Sequence, residues 1–284
     1  MQIRVPLTDV TLGEEEVLAA TRVVRSGWLT MGPEVAAFER EFAAAMGAPH
    51  AVAVANGTAA LELAYKAAGL GPGDEFLLPA LTFVATMSAG LHLAGRPVPV
   101  DCAGPDDLTL SPADLERKIT DRTRLIVTMS YGGFAPDMAA IGRLAAERGI
   151  PVVEDACHAP LAELDGRKLG TWGLAGCFSF FSNKNMATGE GGMVVTGDEA
   201  VAERMRLLRS HGLTHTSWDR HRGRSAQYDV LEPGFNNRLD ELRAAIGREQ
   251  LKKLPEMNRR RRAAAERMRR GLDGLGIEGL EIPF

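Results

Sequence analysis

Cysteine is scarce: the chain has three in 284 residues, Cys102, Cys157 and Cys177. Three widely spaced thiols build neither a disulfide framework nor a zinc knuckle. They fit buried free thiols in a reducing compartment. An excess of one charge sign is missing too. Against 37 acidic residues stand 33 Lys and Arg, for a net charge of -4. No global basic field therefore exists to hold nucleic acid or an anionic membrane. No run of about 18 apolar residues occurs, so no membrane span is expected. Met1-Gln2-Ile3-Arg4-Val5-Pro6 lacks the apolar core of a signal peptide. These absences point to the cytoplasm. There is no internal repeat and no low-complexity segment. What is present is ordinary for a globular chain, with 45% hydrophobic and 25% charged residues. The length suits one large domain, or one large domain and part of a second.

From Ala51 onward, short apolar runs alternate with helical patterns. Strands are expected at 51–55, 75–78, 97–100, 124–129 and 151–154, with helices at 58–68, 82–94 and 137–148 between them. Such alternation predicts an α/β domain, a largely parallel sheet with helices on both faces. Active residues then belong at the carboxyl ends of the strands. Upstream, 13–26 has helical spacing with Val17, Leu18, Thr21 and Val24 on one side. Pro33 is placed to start a second helix that buries Val35, Phe38, Phe42 and Met46. Downstream come a short hairpin at 164–169, strands at 175–181 and 193–196, and a helix at 198–210. Residues 211–237 form a long irregular loop, and a loop of that length is usually functional. Two helices, 239–254 and 255–275, precede the beginning of a strand at 277–284. The run from Asn258 to Arg270 holds seven arginines and one glutamate. It reads as a solvated helix face, with contact to nucleotide phosphates as the alternative.

One stretch stands apart: Ser179-Phe180-Phe181-Ser182-Asn183-Lys184-Asn185-Met186-Ala187-Thr188-Gly189-Glu190-Gly191-Gly192. A lysine sits between apolar strand formers and a glycine-rich turn. Held near the interior, where an ammonium is costly, it suits a Schiff-base nucleophile. Taken alone it also reads as a surface lysine in a hairpin loop. Asn56-Gly57-Thr58 opens a helix after a strand, which suits a phosphate or an ordinary capped turn. No Walker lysine accompanies it, and Gly69, Gly71 and Gly73 follow a helix rather than a strand, so neither nucleotide motif applies. Asp155 stands at a strand end with His158 three residues on, and a buried carboxylate there needs a cationic partner or several donors. No further ligands at metal spacing accompany the pair, so no metal site is expected. Phe83 falls just past another strand end, where an aromatic could cover a flat ring. A lysine for an imine, an acid for a ring nitrogen, a helix start for a phosphate and an aromatic to stack make the parts list for pyridoxal 5'-phosphate (PLP).

With these motifs the sequence resembles the DegT/DnrJ/EryC1/StrS family of PLP-dependent sugar aminotransferases. The matching segments run in order. They are Ser26-Gly27-Trp28-Leu29-Thr30-Met31-Gly32-Pro33, Asn56-Gly57-Thr58-Ala59-Ala60-Leu61, residues 79–86, Glu154-Asp155-Ala156-Cys157-His158-Ala159, the Lys184 loop and Pro233-Gly234-Phe235-Asn236-Asn237-Arg238-Leu239. The resemblance implies a fold-type I PLP-dependent transferase with a mostly parallel sheet. Residues 1–250 would be the large PLP-binding domain, and 251–284 the long helix and start of a small carboxy-terminal domain largely absent here. Lys184 would be the Schiff-base lysine and proton carrier. Asp155 would pair with the pyridinium nitrogen, His158 approach the ring, and Phe83 stack on it. Gly57, Thr58 and Ser179 would bind the phosphate, and Asn236 would reach the phosphate in a neighbouring subunit, making a homodimer with shared active sites. Trp28, Thr30 and Met31 would line the sugar site. The implied reaction moves an amino group from L-glutamate or L-glutamine to a keto group on a nucleotide-linked sugar. Alternatives are the same chemistry on a cyclitol or aromatic-precursor ketone, or a catalytically weak partner subunit. The family often has His where this chain has Phe181.

Overall fold

The computed structural model of the chain describes residues 10–215, 218, 221, 223 and 227–275. The strand expected from 277, the first nine residues and parts of the 211–237 loop lie outside the described residues. The strands are β1 (His50–Val54), β2 (Glu75–Pro79), β3 (Arg96–Val100), β4 (Thr123–Met129), β5 (Val152–Asp155), β6 (Glu163–Leu164), β7 (Arg167–Lys168), β8 (Ala175–Ser179) and β9 (Gly192–Thr196). Seven of them form one sheet in the order β1-β9-β8-β5-β4-β2-β3, and β6 with β7 forms the expected hairpin. Neighbours from β3 through β8 pair in parallel, and β9 runs antiparallel to both β8 and β1. The mostly parallel sheet expected from strand–helix alternation is present.

Helices cover both faces. They are α1 (Glu14–Ser26), α2 (Pro33–Met46), α3 (Gly57–Ala67), α4 (Val84–His92), α5 (Pro112–Lys118), α6 (Met138–Arg148), α7 (Glu199–Arg209) and α8 (Glu241–Asp273). The period-2 alternation of each strand divides the core in two. Val52, Val54, Phe76, Leu125, Val153, Cys177 and Val194 point to the side of α3, α4 and α7. Ala51, Ala53, Phe178, Met193 and Val195 point to α2 and α8, while Leu77, Ile126 and Val152 point to α5 and α6. Side chains of Asn56, Ser111, Asp137, Asp198 and Asp240 accept first-turn N–H bonds, which sets where five of the helices begin.

Two expectations fail for stated physical reasons. α1 packs on α8 through Ala19 and Val23, while Val17, Leu18 and Val24 stay exposed. Its orientation is set by Glu16, whose carboxylate takes hydrogen bonds from Gln250 (2.8 Å) and Lys253 (2.7 Å). The two helices expected at 239–254 and 255–275 are one helix that continues through Pro255. A proline inside a helix removes one hydrogen bond and costs about 3 kcal/mol. Packing of Ala244, Ala245, Gly247, Leu251 and Leu254 before it holds the helix, as do Glu256 pairs with Arg259 and Arg260 after it. The boundary expected between 250 and 251 lies inside this helix. Among the described residues, no helix is long and apolar enough to cross a membrane.

Candidate active site

The carboxyl ends of β4, β5 and β8 and the start of α3 meet at a cleft of about 580 Å³. Gly57, Thr58, Phe83, Asp155, His158, Ser179 and Lys184 all line it. Lys184 lies in the loop between β8 and β9. The loop is closed by Phe180 N–H to the Gly191 carbonyl (2.8 Å) and Thr188 N–H to the Phe180 carbonyl (2.9 Å). Phe180, Met186 and Ala187 are buried in the core beneath it. Apolar side chains thus hold the loop down while Lys184 faces the cleft.

Strand alternation decides which of two adjacent carboxylates reaches the cleft. Asp155 is 2% exposed. Its Oδ2 accepts from the Thr86 hydroxyl at 2.8 Å, and its Oδ1 from the Cys157 N–H at 3.2 Å. Thr86 is positioned in turn by the Thr82 hydroxyl (2.7 Å), and its carbonyl accepts from the Tyr65 hydroxyl (3.0 Å). Among the described residues Asp155 is in no ion pair, so its carboxylate is available to a cationic group in the cleft. Glu154 points to the other face, where its carboxylate accepts N–H bonds from Gly170 (2.6 Å), Trp172 (2.6 Å) and Gly173 (2.8 Å). Burial pushes its carboxyl up, and those three donors offset part of the rise. Glu154 is a satisfied structural acid.

The start of α3 lies hard against the end of β8. A Cβ on Gly57 would sit 2.8 Å from Ser179 Cβ and 3.2 Å from its Oγ. Glycine at 57 therefore lets the helix N-terminus, with its unpaired N–H groups, come beside the Ser179 hydroxyl. His158 accepts the Gly132 N–H at Nδ1 (3.2 Å), which requires a lone pair there and leaves the proton on Nε2. Its ring meets Tyr131 edge-on, with centroids 5.5 Å apart. Burial, and then the Lys184 charge, lower its pKa, with Asp155 opposing. The Cys157 thiol is pushed well up by burial and by Asp155, which makes it inert. Phe83 and Phe181 are exposed at the mouth.

The structure does not bring every expected residue here. Asn236, expected at a neighbouring subunit's phosphate, pairs with Ser210 and does not line this cleft. Met31 is 8% exposed and packs in the core of the α2 and α8 side. Trp28 packs against Trp218 and His221 in a separate cavity, and Thr30 is exposed. Conversely, Thr86, Tyr131 and Glu190 went unread in the sequence, although Tyr131 and Glu190 line the cleft. Tyr131 follows the end of β4, so the strand-end rule could have found it. Thr86 lies within an ordinary helical pattern and carries no local signal.

PLP fits these residues. A buried carboxylate without a counter-ion suits its pyridinium. The space beside Gly57, which any Cβ would fill, lies at a helix N-terminus next to two hydroxyl-bearing residues, Thr58 and Ser179, and suits its phosphate.

Comparison with known proteins agrees. The family model "DegT/DnrJ/EryC1/StrS aminotransferase family" matches residues 10–283. The spore coat polysaccharide biosynthesis protein SpsC of Bacillus subtilis is 42% identical over 280 residues, spanning 98% of this chain and 71% of SpsC. The crystal structure of the aminotransferase TlmJ from Streptoalloteichus hindustanus superposes with a TM-score of 0.91 at 37% identity, covering 99% of this chain and 74% of TlmJ. DesV from S. venezuelae superposes with a TM-score of 0.88 at 39% identity, covering 95% and 70%.

Proposed function

We propose a function from one premise: this chain belongs to the DegT/DnrJ/EryC1/StrS aminotransferase family. It is a fold-type I aminotransferase that uses PLP. When bound, the cofactor supplies an electron sink for the carbanion left when a Cα–H bond breaks. The residues do the rest. Lys184 holds the cofactor through its Nζ and moves the proton at the substrate carbon. Asp155, oriented by Thr86 and the Cys157 N–H, keeps the pyridine nitrogen protonated. Gly57, Thr58 and Ser179 would bind the phosphate, and Phe83 and neutral His158 would contact the ring.

The acceptor is a keto group on a nucleotide-linked sugar and the donor is L-glutamate or L-glutamine, in amino-sugar, antibiotic or surface-polysaccharide synthesis. The part of SpsC in spore coat polysaccharide biosynthesis supports this class, as does the exposed aromatic mouth formed by Phe83, Tyr131 and Phe181, which is open to a large substrate. The working unit is a homodimer. Asn236, Trp28 and Thr30 lie outside this chain's cleft and complete the partner's. Three unpaired cysteines support a cytoplasmic location.

The observation that carries the proposal is that Lys184 and Asp155, from different strands' ends, line one cleft. Borohydride treatment of the PLP-loaded protein, followed by peptide mass spectrometry, should fix one pyridoxyl phosphate on Lys184. Lys184→Ala should carry none, and a label elsewhere would remove the assignment. Transfer of 15N from amide-labelled glutamine or amino-labelled glutamate to a panel of keto-sugar nucleotides identifies donor and acceptor.

A further inference from the structure

The basic stretch of α8 does more than face solvent. Arg259 and Arg260 pair with Glu256 on the same helix. Asn258, just before them, turns inward. Its Oδ1 accepts from Asn185 Nδ2 at 2.9 Å, and its Nδ2 donates to the Pro160 carbonyl at 2.9 Å. Arg261 adds a bond to the Asn185 carbonyl at 3.1 Å. Two turns earlier, buried Gln250 accepts the Ala187 N–H at 3.3 Å while its amide donates to Glu16 and to the Thr11 carbonyl. Asn185 follows Lys184 directly. Pro160 closes the segment that follows Asp155 and carries His158. One amide therefore bridges the loop bearing Lys184 and the segment bearing His158.

Asparagine is a poor helix former, and its side chain competes with the helix backbone for hydrogen bonds. At this position both its donor and its acceptor are used on catalytic loops instead. We propose that Asn258 is a positioning residue for transamination, clamping the Lys184 loop to the 156–160 segment so that Lys184 keeps its place relative to Asp155 and His158. Arg261 and Gln250 act in the same clamp, so α8 is the strut against which both loops are set. Asn258 does not line the cleft. The proposal rests on the assignment of Lys184 above.

The test uses the full chain with and without PLP. In the cofactor-free protein, Asn258→Ala should raise amide hydrogen exchange across 182–188 by about tenfold, with global unfolding little changed. PLP affinity should weaken by about tenfold, and kcat should fall with little change in KM. Asn185→Ala removes the same bond from the loop side and keeps the test available if the helix variant fails to fold. The double variant should add little to Asn258→Ala, because that change already removes the Asn185 bond along with the Pro160 bond. Arg259→Ala, whose only described partner is Glu256, should behave as wild type. Wild-type exchange in 182–188 together with wild-type PLP affinity in Asn258→Ala would overturn the clamp, as would strict additivity with Asn185→Ala. The exchange readout needs no cofactor. A borohydride label away from Lys184 would thus refute the cofactor assignment while loosened exchange still stood.

Discussion

Glu154 and Asp155 are neighbours with opposite duties, and exchanging each for its amide should separate fold from chemistry. Glu154 is 1% exposed. Its Oε1 faces the N–H groups of Trp172 and Gly173, and its Oε2 faces that of Gly170. In Glu154→Gln the amide oxygen can keep the two-donor side, which turns the NH2 toward the Gly170 N–H. One buried backbone donor is then unpaired, at about 1–3 kcal/mol, and two charge-assisted bonds become neutral, at about 1 kcal/mol each. Removing a charge that burial disfavours offsets part of this. The net loss should be about 2–3 kcal/mol, or roughly 5–10 °C in Tm for a chain of this size. PLP affinity should be unchanged. Asp155→Asn can keep its oxygen on the Cys157 N–H and turn its NH2 to the Thr86 hydroxyl, which then donates to Thr82, so Tm should move little. It removes the charge opposite the pyridinium, which should weaken PLP by about ten- to hundredfold, equivalent to about 1.4–2.8 kcal/mol. Thermal unfolding of the cofactor-free proteins and a PLP titration by fluorescence read both effects. A Glu154→Gln protein that unfolds like wild type, or an Asp155→Asn protein that binds PLP like wild type, would refute the division of labour.

Gly57→Ala should force α3 away from β8, because its new Cβ meets Ser179 Cβ at 2.8 Å. We expect about 1–3 kcal/mol of destabilisation in urea unfolding and weaker PLP binding; no change in either would refute the need for glycine where α3 meets β8. His158 should titrate below its ordinary 6.5 in the cofactor-free protein, read by NMR of the imidazole. The sign follows: a depressed folded pKa gives stability that is present above about pH 6.5 and lost as pH falls through the folded value. His158→Gln should lack that acid-side loss, and an unchanged acid limb would contradict it.

The strand–helix rhythm from 51 to 154 was legible because each strand alternates between two buried faces and many helices begin on a capping side chain. The Lys184 loop, Asp155 and Gly57 were legible because their residue types are unusual at strand ends. Other features were not. The exposed side of α1 could not be read from Val17, Leu18 and Val24, since Glu16 binds Gln250 and Lys253 some 235 positions away. The continuity of α8 through Pro255 depends on packing that outweighs a local break.

The amino-acid order alone determined the alternation of elements and the identity of the groups able to hold a flat anionic cofactor, because periodicity and side-chain chemistry are local properties. Only the tertiary structure decided that Glu154 turns away while Asp155 lines the same cleft as Lys184, that Thr86 orients that carboxylate, and that Asn258 bridges the Lys184 loop and the segment after β5. Those outcomes depend on strand register and on helices brought together from distant positions, and hydrogen bonds reach only a few ångströms.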